Sequence, residues 1–144
     1  DIAAACSGFI FALETASKFI ESGRYKNAIV IGADTMSSII DYTDRDTCVI
    51  FGDGGGGVLL ESSDDDVGIL DSILYIDGSG SRYLNVPAGG SAHPTSKDTV
   101  DKRMHFVHQD GKPIFKFAVK NMADVSKQIL DQNKLTGNDL KLFI

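Results

Sequence analysis

The run DIAAACSGF places Cys6 where a short apolar stretch, expected to be a strand, meets the start of a helical pattern. A thiol at a helix N-terminus lies beside unpaired backbone N–H groups and the positive end of the macrodipole. Both favour the thiolate, the form that attacks a carbonyl carbon. Gly8 lets backbone or substrate approach closely. The opposing reading is packing, because a free cysteine is often a small buried hydrophobe. Cys48, in the apolar run TCVIF, takes that second reading, as an inert thiol buried in a strand. A disulfide would suit an oxidising compartment, to which nothing else in the sequence points.

The other polar motifs carry less chemistry by spacing alone. GDGGGG at residues 52–57 formally meets the GxGxxG spacing, but a strand rather than a helix is expected to follow, and the lysine of a phosphate loop is missing. A tight bend without side chains, open to another backbone or a ligand, is the better reading. His93, His105 and His108 all fall in an irregular region without cysteines or paired carboxylates that would complete a zinc set, so they read as solvated loop residues, and no metal is expected. None is an evident base for Cys6. Arg45, in DYTDRDT, has the fork to bind a phosphate or carboxylate, yet spacing alone favours a surface pair with Asp44 or Asp46.

These residues need a scaffold. Apolar positions Phe9, Ala12, Leu13, Ala16 and Ile20 recur at helical spacing, which predicts a helix over 9–22 ended by Gly23. AIVIG at 28–32 reads as a strand covered on both faces, and together they imply a layered α/β architecture with mainly parallel pairing. A second apolar run at 48–51 leads into the glycines. SSDDD at 62–66 predicts a turn joining strands at 58–61 and 67–76 in an antiparallel hairpin. Residues 77–112, rich in Gly, Ser, Pro and Asn, read as one long functional or mobile loop. Pro113 opens a helix to about Asn133, with Phe115, Ala118, Val119, Met122, Val125 and Ile129 as its buried stripe. Thr136 caps a short turn before LKLFI, which reads as a strand. Both ends begin or stop on core-like residues, so the chain reads as an internal piece of a longer one.

Composition sets bounds. The 144 residues suffice for one core, and the 42% hydrophobic and 24% charged fractions are those of a soluble globular protein. Fourteen basic against twenty acidic side chains give a net charge of −6, which disfavours nonspecific binding to nucleic acid or an anionic membrane. Apolar runs of about five to seven residues fall far short of the roughly 20 that span a bilayer. A reduced, cytoplasmic protein is expected.

Taken in order, DIAAACSGF, AIVIGAD, DRDTCVIFGDGGGGVLL, IFKFAVKNM and LKLFI resemble the β-ketoacyl-acyl carrier protein synthase III family of the thiolase-like superfamily, over essentially the whole chain. The resemblance implies a thiolase-like layered α-β-α-β-α fold, present in part. Residues 1–78 would be the later part of its first half and 79–144 a loop with the start of the second. It implies that Cys6 accepts an acyl group from acyl-CoA, and that its backbone N–H is one oxyanion-hole donor. Malonyl-acyl carrier protein would then be decarboxylated and joined to the acyl group, starting fatty-acid synthesis. By the same resemblance Arg45 lies at the mouth of the CoA tunnel, Ile50, Gly111 and Phe115 line the pantetheine path, and Phe51 and Leu84 line the acyl pocket. Asp46 stands where many relatives have glycine, adding a negative charge that weakens or redirects the Arg45 contact. GDGGGG replaces the more usual GDGAGA, loosening the bend.

The partners implied are acyl-CoA, acyl carrier protein and a second copy in a homodimer, with no cofactor. The family's histidine and asparagine for decarboxylation would follow residue 144, so the piece alone is expected to be inactive in condensation. Its uncovered core edges predict poor solubility. Competing readings are a chain-initiating polyketide or hydroxymethylglutaryl-CoA synthase, a noncatalytic acyl-binding or dimer-forming homologue, and a cysteine hydrolase.

Overall fold

The computed structural model describes residues 1–65 and 67–144, which cluster into two compact units. The first comprises residues 1–33, 55–75 and 122–144; the second comprises 34–54 and 76–121.

In the first unit, helix α1 (Gly8–Glu21) follows a 3₁₀ turn at Ala5–Ser7. It starts one residue before the expected point and ends as expected: Gly23 takes φ +73°, and its N–H donates to the Ile20 carbonyl at 2.8 Å. That left-handed conformation suits glycine, which has no Cβ to clash. The stretch before Cys6 forms no strand. Strand β1 (Asn27–Asp34) pairs with β2 (Gly54–Glu61). Gly55 lies against Ala33, Gly57 against Ile31 and Val30, and the Ser62 N–H donates to the Lys26 carbonyl at 3.0 Å. Numbers rise along one strand as they fall along the other, so the pair is antiparallel, correcting the parallel expectation.

Burial along β1 alternates, as a strand's two-residue period requires. Ala28, Val30 and Gly32 are covered to varying degrees, with Val30 only 4% exposed and Gly32 packed under Phe9 of α1. Ile29 and Ile31 on the opposite face are 72% and 70% exposed. The expectation of cover on both faces therefore holds for one face only, because the described residues supply one covering helix. GDGGGG is no bend: its last four glycines begin β2. A Cβ at Gly57 would come within 2.9 Å of the Val30 carbonyl oxygen, so the missing side chain allows the close approach of another backbone.

The expected hairpin does not form as read. Asp66 of its turn lies outside the described residues, and residues 67–77 pair with no strand among the described ones. This stretch is held instead by side chains: Tyr75 Oη donates to Gln128 Oε1 at 3.1 Å, and Asn133 Nδ2 donates to Asp71 Oδ2 at 2.8 Å. LKLFI at 140–144 likewise pairs with no strand among the described residues and is not a strand. Thr136 does precede a 3₁₀ turn, Gly137–Asp139, and its N–H and Oγ1 both donate to Asp139 Oδ2 at 2.8 Å.

In the second unit the apolar run expected as a strand at 48–51 is a hydrogen-bonded turn, with Cys48 N–H donating to the Asp44 carbonyl at 3.0 Å and Ile50 N–H to that of Thr47 at 3.0 Å. Cys48 is half-buried there. The region expected to be one long loop is organised. A 3₁₀ helix at Gly78–Tyr83 is capped by Asp77. Strands β3 (Leu84–Asn85) and β4 (His108–Gln109) pair antiparallel, Leu84 opposite Gln109. Helix α2 (Lys97–Asp101) opens on a capping box between Ser96 and Thr99. Ile40, Ala88 and Val107 form a small apolar core beside Thr47 and Thr99.

Helix α3 (Gly111–Gln132) contributes residues 111–121 to the second unit and 122–132 to the first. Its predicted stripe is partly uncovered: Val125 and Ile129 are half-buried, while Phe115, Val119 and Met122 are exposed.

Candidate functional site

Cys6 sits in the 3₁₀ turn one residue before Ser7, the N-cap of α1. The turn is closed by the Ser7 N–H donating to the Ala4 carbonyl at 3.1 Å. Ala5 is held at φ +46°, a left-handed conformation that costs a non-glycine residue roughly 1–2 kcal/mol. Such strain persists where the surroundings impose it, and it clusters at functional sites. Cys6, which follows, is exposed among the described residues.

The second unit carries an open cavity of about 790 Å³. It is lined by Asp46 and Ile50, by the segment His108 to Lys112, and by Phe115 and Lys116. Of the residues singled out from the sequence it gathers Ile50, Gly111 and Phe115. Among the described residues its lining does not include Arg45, Phe51 or Leu84. Phe51 is half-buried after the 45–50 turn, and Leu84 is 37% exposed on β3. His108, Gln109, Asp110, Lys112 and Lys116 were not read as site residues. They belong to β4, to the first turns of α3 or, for Asp110, to the junction between the two, which a loop reading conceals.

The turn bearing Arg45 and Asp46 is fixed from inside. Thr47, 1% exposed, donates from Oγ1 to Asp44 Oδ2 at 2.8 Å, and the Asp46 N–H donates to Asp44 Oδ1 at 3.0 Å. Asp44 is thereby engaged by its own turn. No ion pair among the described residues includes Arg45, which corrects its expected surface pairing with Asp44 or Asp46.

Two further carboxylates brace this unit. Asp41 accepts from Arg103 Nε at 3.1 Å and pairs with its Nη2 at 2.5 Å, and it also accepts from Thr43 N and Oγ1. The Arg103 hydrogen bond, followed by those from Thr43, holds the Asp41 carboxyl far below the usual range. Asp53, the acid of the glycine motif, accepts from Ser37 N and Oγ at 2.7 Å each, and these bonds lower its pKa. Its observed role is to tie the 3₁₀ turn Met36–Ser38 to the start of β2.

The histidines diverge from their common loop reading. His93 is exposed, His105 is half-buried with Nε2 3.0 Å from Thr99 Oγ1, and exposed His108 lines the cavity. Among the described residues no group of three His, Cys, Asp or Glu is arranged to hold a metal, and no helix is long and apolar enough to cross a membrane.

Residues 1–78 match the family model described as 3-oxoacyl-[acyl-carrier-protein (ACP)] synthase III. The chain belongs to this family. Over its full length it is 55% identical to the β-ketoacyl-[acyl-carrier-protein] synthase III of Koribacter versatilis and 57% identical to that of Chlorobium phaeobacteroides. It spans 44% of the length of each of these relatives. The crystal structure of 3-oxoacyl-[acyl-carrier-protein] synthase III from Aquifex aeolicus superposes with a TM-score of 0.82 at 37% identity, covering 99% of this chain and 41% of that one. The synthase III neighbours are thiolase-like α/β proteins, and this chain carries part of that fold.

Proposed function

We propose that this chain is the nucleophile-bearing segment of a condensing acyltransferase that loads an acyl group from acyl-CoA onto Cys6. That group is then joined to malonyl-acyl carrier protein with loss of carbon dioxide, initiating fatty-acid synthesis. The observation that carries the reading is the exposed Cys6 thiol at the N-terminal end of α1, directly after a strained alanine, in a chain of the synthase III family.

In the first half-reaction the Cys6 thiolate attacks the thioester carbonyl carbon, and a tetrahedral oxyanion forms. A carbon–sulfur bond to CoA then breaks, releasing the CoA thiolate. The Cys6 N–H is the proposed oxyanion donor from this chain. In the second, decarboxylation leaves a carbanion on the carrier-bound thioester. It attacks the acyl-cysteine carbonyl, a carbon–carbon bond forms, and the Cys6 thiolate leaves. By resemblance, the histidine and asparagine that stabilise this carbanion are outside these 144 residues.

Arg45 is the proposed contact at the mouth of the CoA tunnel. Ile50, Gly111 and Phe115 are its pantetheine contacts, and their shared cavity supports that assignment. Phe51 and Leu84 are the proposed acyl-pocket walls. The end of the family-model match at residue 78 supports a division between the two halves there. The complete enzyme is proposed to be a cytoplasmic homodimer that needs no cofactor.

The test is incubation of the complete protein with radiolabelled acetyl-CoA, followed by mass spectrometry of the Cys6 peptide. The expected result is one acetyl group on Cys6, lost in a Cys6→Ala variant. Absence of an acyl mass on this peptide refutes the proposal. Label released to water without malonyl-acyl carrier protein identifies a hydrolase instead.

A further inference from the structure

We infer that Asp46 is a specificity-determining residue of the cavity, discriminating among acyl carriers by the negative charge they bring. The inference rests on the function proposed above. The cavity's lining holds two cations, Lys112 and Lys116, and two carboxylates, Asp46 and Asp110. Neither lysine joins an ion pair among the described residues, so both charges are available to an anion. Asp110 belongs to the junction of β4 and α3, its N–H donating to the Tyr83 carbonyl at 2.7 Å. Asp46 comes from the separate 45–50 turn, and its main chain is pinned by the bond from its N–H to Asp44 Oδ1. The bond from the buried Thr47 to the same Asp44 side chain holds the backbone of this turn, from which the exposed Asp46 side chain projects.

With Asp46 present, the four ionised side chains of the lining sum to zero; without it, the lining is net positive. An entering carrier therefore meets a lysine pair whose attraction is opposed by a negative charge on the same lining. The opposition grows with the charge of the carrier. Coenzyme A bears a diphosphate and a 3′-phosphate, dephospho-coenzyme A lacks the latter, and a pantetheine thioester is neutral. At separations of about 8 Å in water each like-charge pair changes affinity roughly two-fold, so a phosphate dianion is penalised about four-fold or more. Salt reduces the effect, since that separation is close to the screening length at physiological ionic strength.

The experiment compares acetyl transfer from acetyl-CoA, acetyl-dephospho-CoA and acetyl-pantetheine in the complete wild-type protein and in Asp46→Asn, at low and high salt. The substitution keeps the side-chain shape and removes only the charge. The expected result is a fall of at least about four-fold in the ratio of KM for acetyl-CoA to KM for acetyl-pantetheine. A smaller fall is expected for the dephospho carrier, and both should shrink in high salt. Equal changes for all three carriers, or none, overturn the inference while leaving the proposed function standing. Failure of the wild-type protein to become acetylated by any of them overturns both.

Discussion

Thr47 offers the sharpest test of how the cavity wall is held, because its hydroxyl and its methyl can be removed separately. Thr47 is 1% exposed, and its Oγ1 donates to the same Asp44 carboxylate that accepts from the Asp46 N–H. Thr47→Val keeps the volume and deletes a hydrogen bond to an ionised acceptor, worth about 1.5–3 kcal/mol. The added methyl recovers about 0.8 kcal/mol of burial, and water can rehydrate the half-exposed Asp44, leaving a net loss of about 1 kcal/mol. Thr47→Ser keeps the bond and deletes one buried methyl, again costing about 1 kcal/mol. Urea unfolding of the complete protein should therefore show similar losses for both variants. Acyl transfer should not. If the Asp44 bond positions the turn, only Thr47→Val raises KM for acyl-CoA. About 1 kcal/mol spent on restoring the turn amounts to roughly five-fold in KM. Equal KM values in the two variants, or a KM rise in the serine variant alone, would refute the argument that the hydroxyl aligns Arg45 and Asp46.

The ion pair of Asp41 with Arg103 makes acid sensitivity predictable. Its folded pKa is lowered, so its stabilisation is complete above the unfolded carboxylate range and is lost as pH falls from there through the depressed value. Melting profiles between pH 7 and pH 3 should drop more steeply for wild type than for Asp41→Asn, and parallel profiles would contradict this. At the glycine motif, an added Cβ at Gly55 meets Ala33 Cβ at 3.5 Å, ordinary contact, whereas at Gly57 it meets the Val30 carbonyl oxygen at 2.9 Å. Gly55→Ala should be neutral or stabilising by up to about 1 kcal/mol, and Gly57→Ala less stable than it in the same denaturant titration; the reverse order would show that β1 yields. Ser96→Ala removes one arm of the α2 capping box and should cost about 1 kcal/mol, read as faster amide exchange at Thr99, whose N–H donates to Ser96 Oγ.

Much of the helical scaffold was legible because its signals are local. The spacing of Phe9, Leu13, Ala16 and Ile20 and the following Gly23 give α1 to within a residue or so, and Pro113 with Phe115 and Val119 gives α3 nearly as well. Strands fared worse, for a physical reason. A helix closes its hydrogen bonds within itself, but a strand exists only where a partner completes the ladder. The apolar stretches at 67–76 and 140–144 have strand-like composition and no partner among the described residues. The run at 48–51 was misread differently: the Asp44 carboxylate and carbonyl capture the N–H groups of Asp46 and Cys48, and this local chemistry overrides β-branched propensity.

The site divides along the same line. Cys6 could be singled out because a helix N-terminus and a thiol are adjacent in sequence, and Ala5's left-handed backbone is the feature that spacing alone did not disclose. The cavity depends on a meeting between residues 46–50 and 108–116, some sixty positions apart, which no periodicity encodes. Only the resemblance linked Ile50 to Gly111 and Phe115. The lysines went unread because exposed lysines on a helix are ordinarily just its solvated face. What distinguishes Lys112 and Lys116 is their spacing of one helical turn at the end of α3 that follows the short β3–β4 pair and shares the cavity lining with Asp46. A charge on that lining is therefore the part of this surface where substitution should alter carrier selectivity, whereas exchanging Lys120, farther along α3 and outside the cavity, should alter it less.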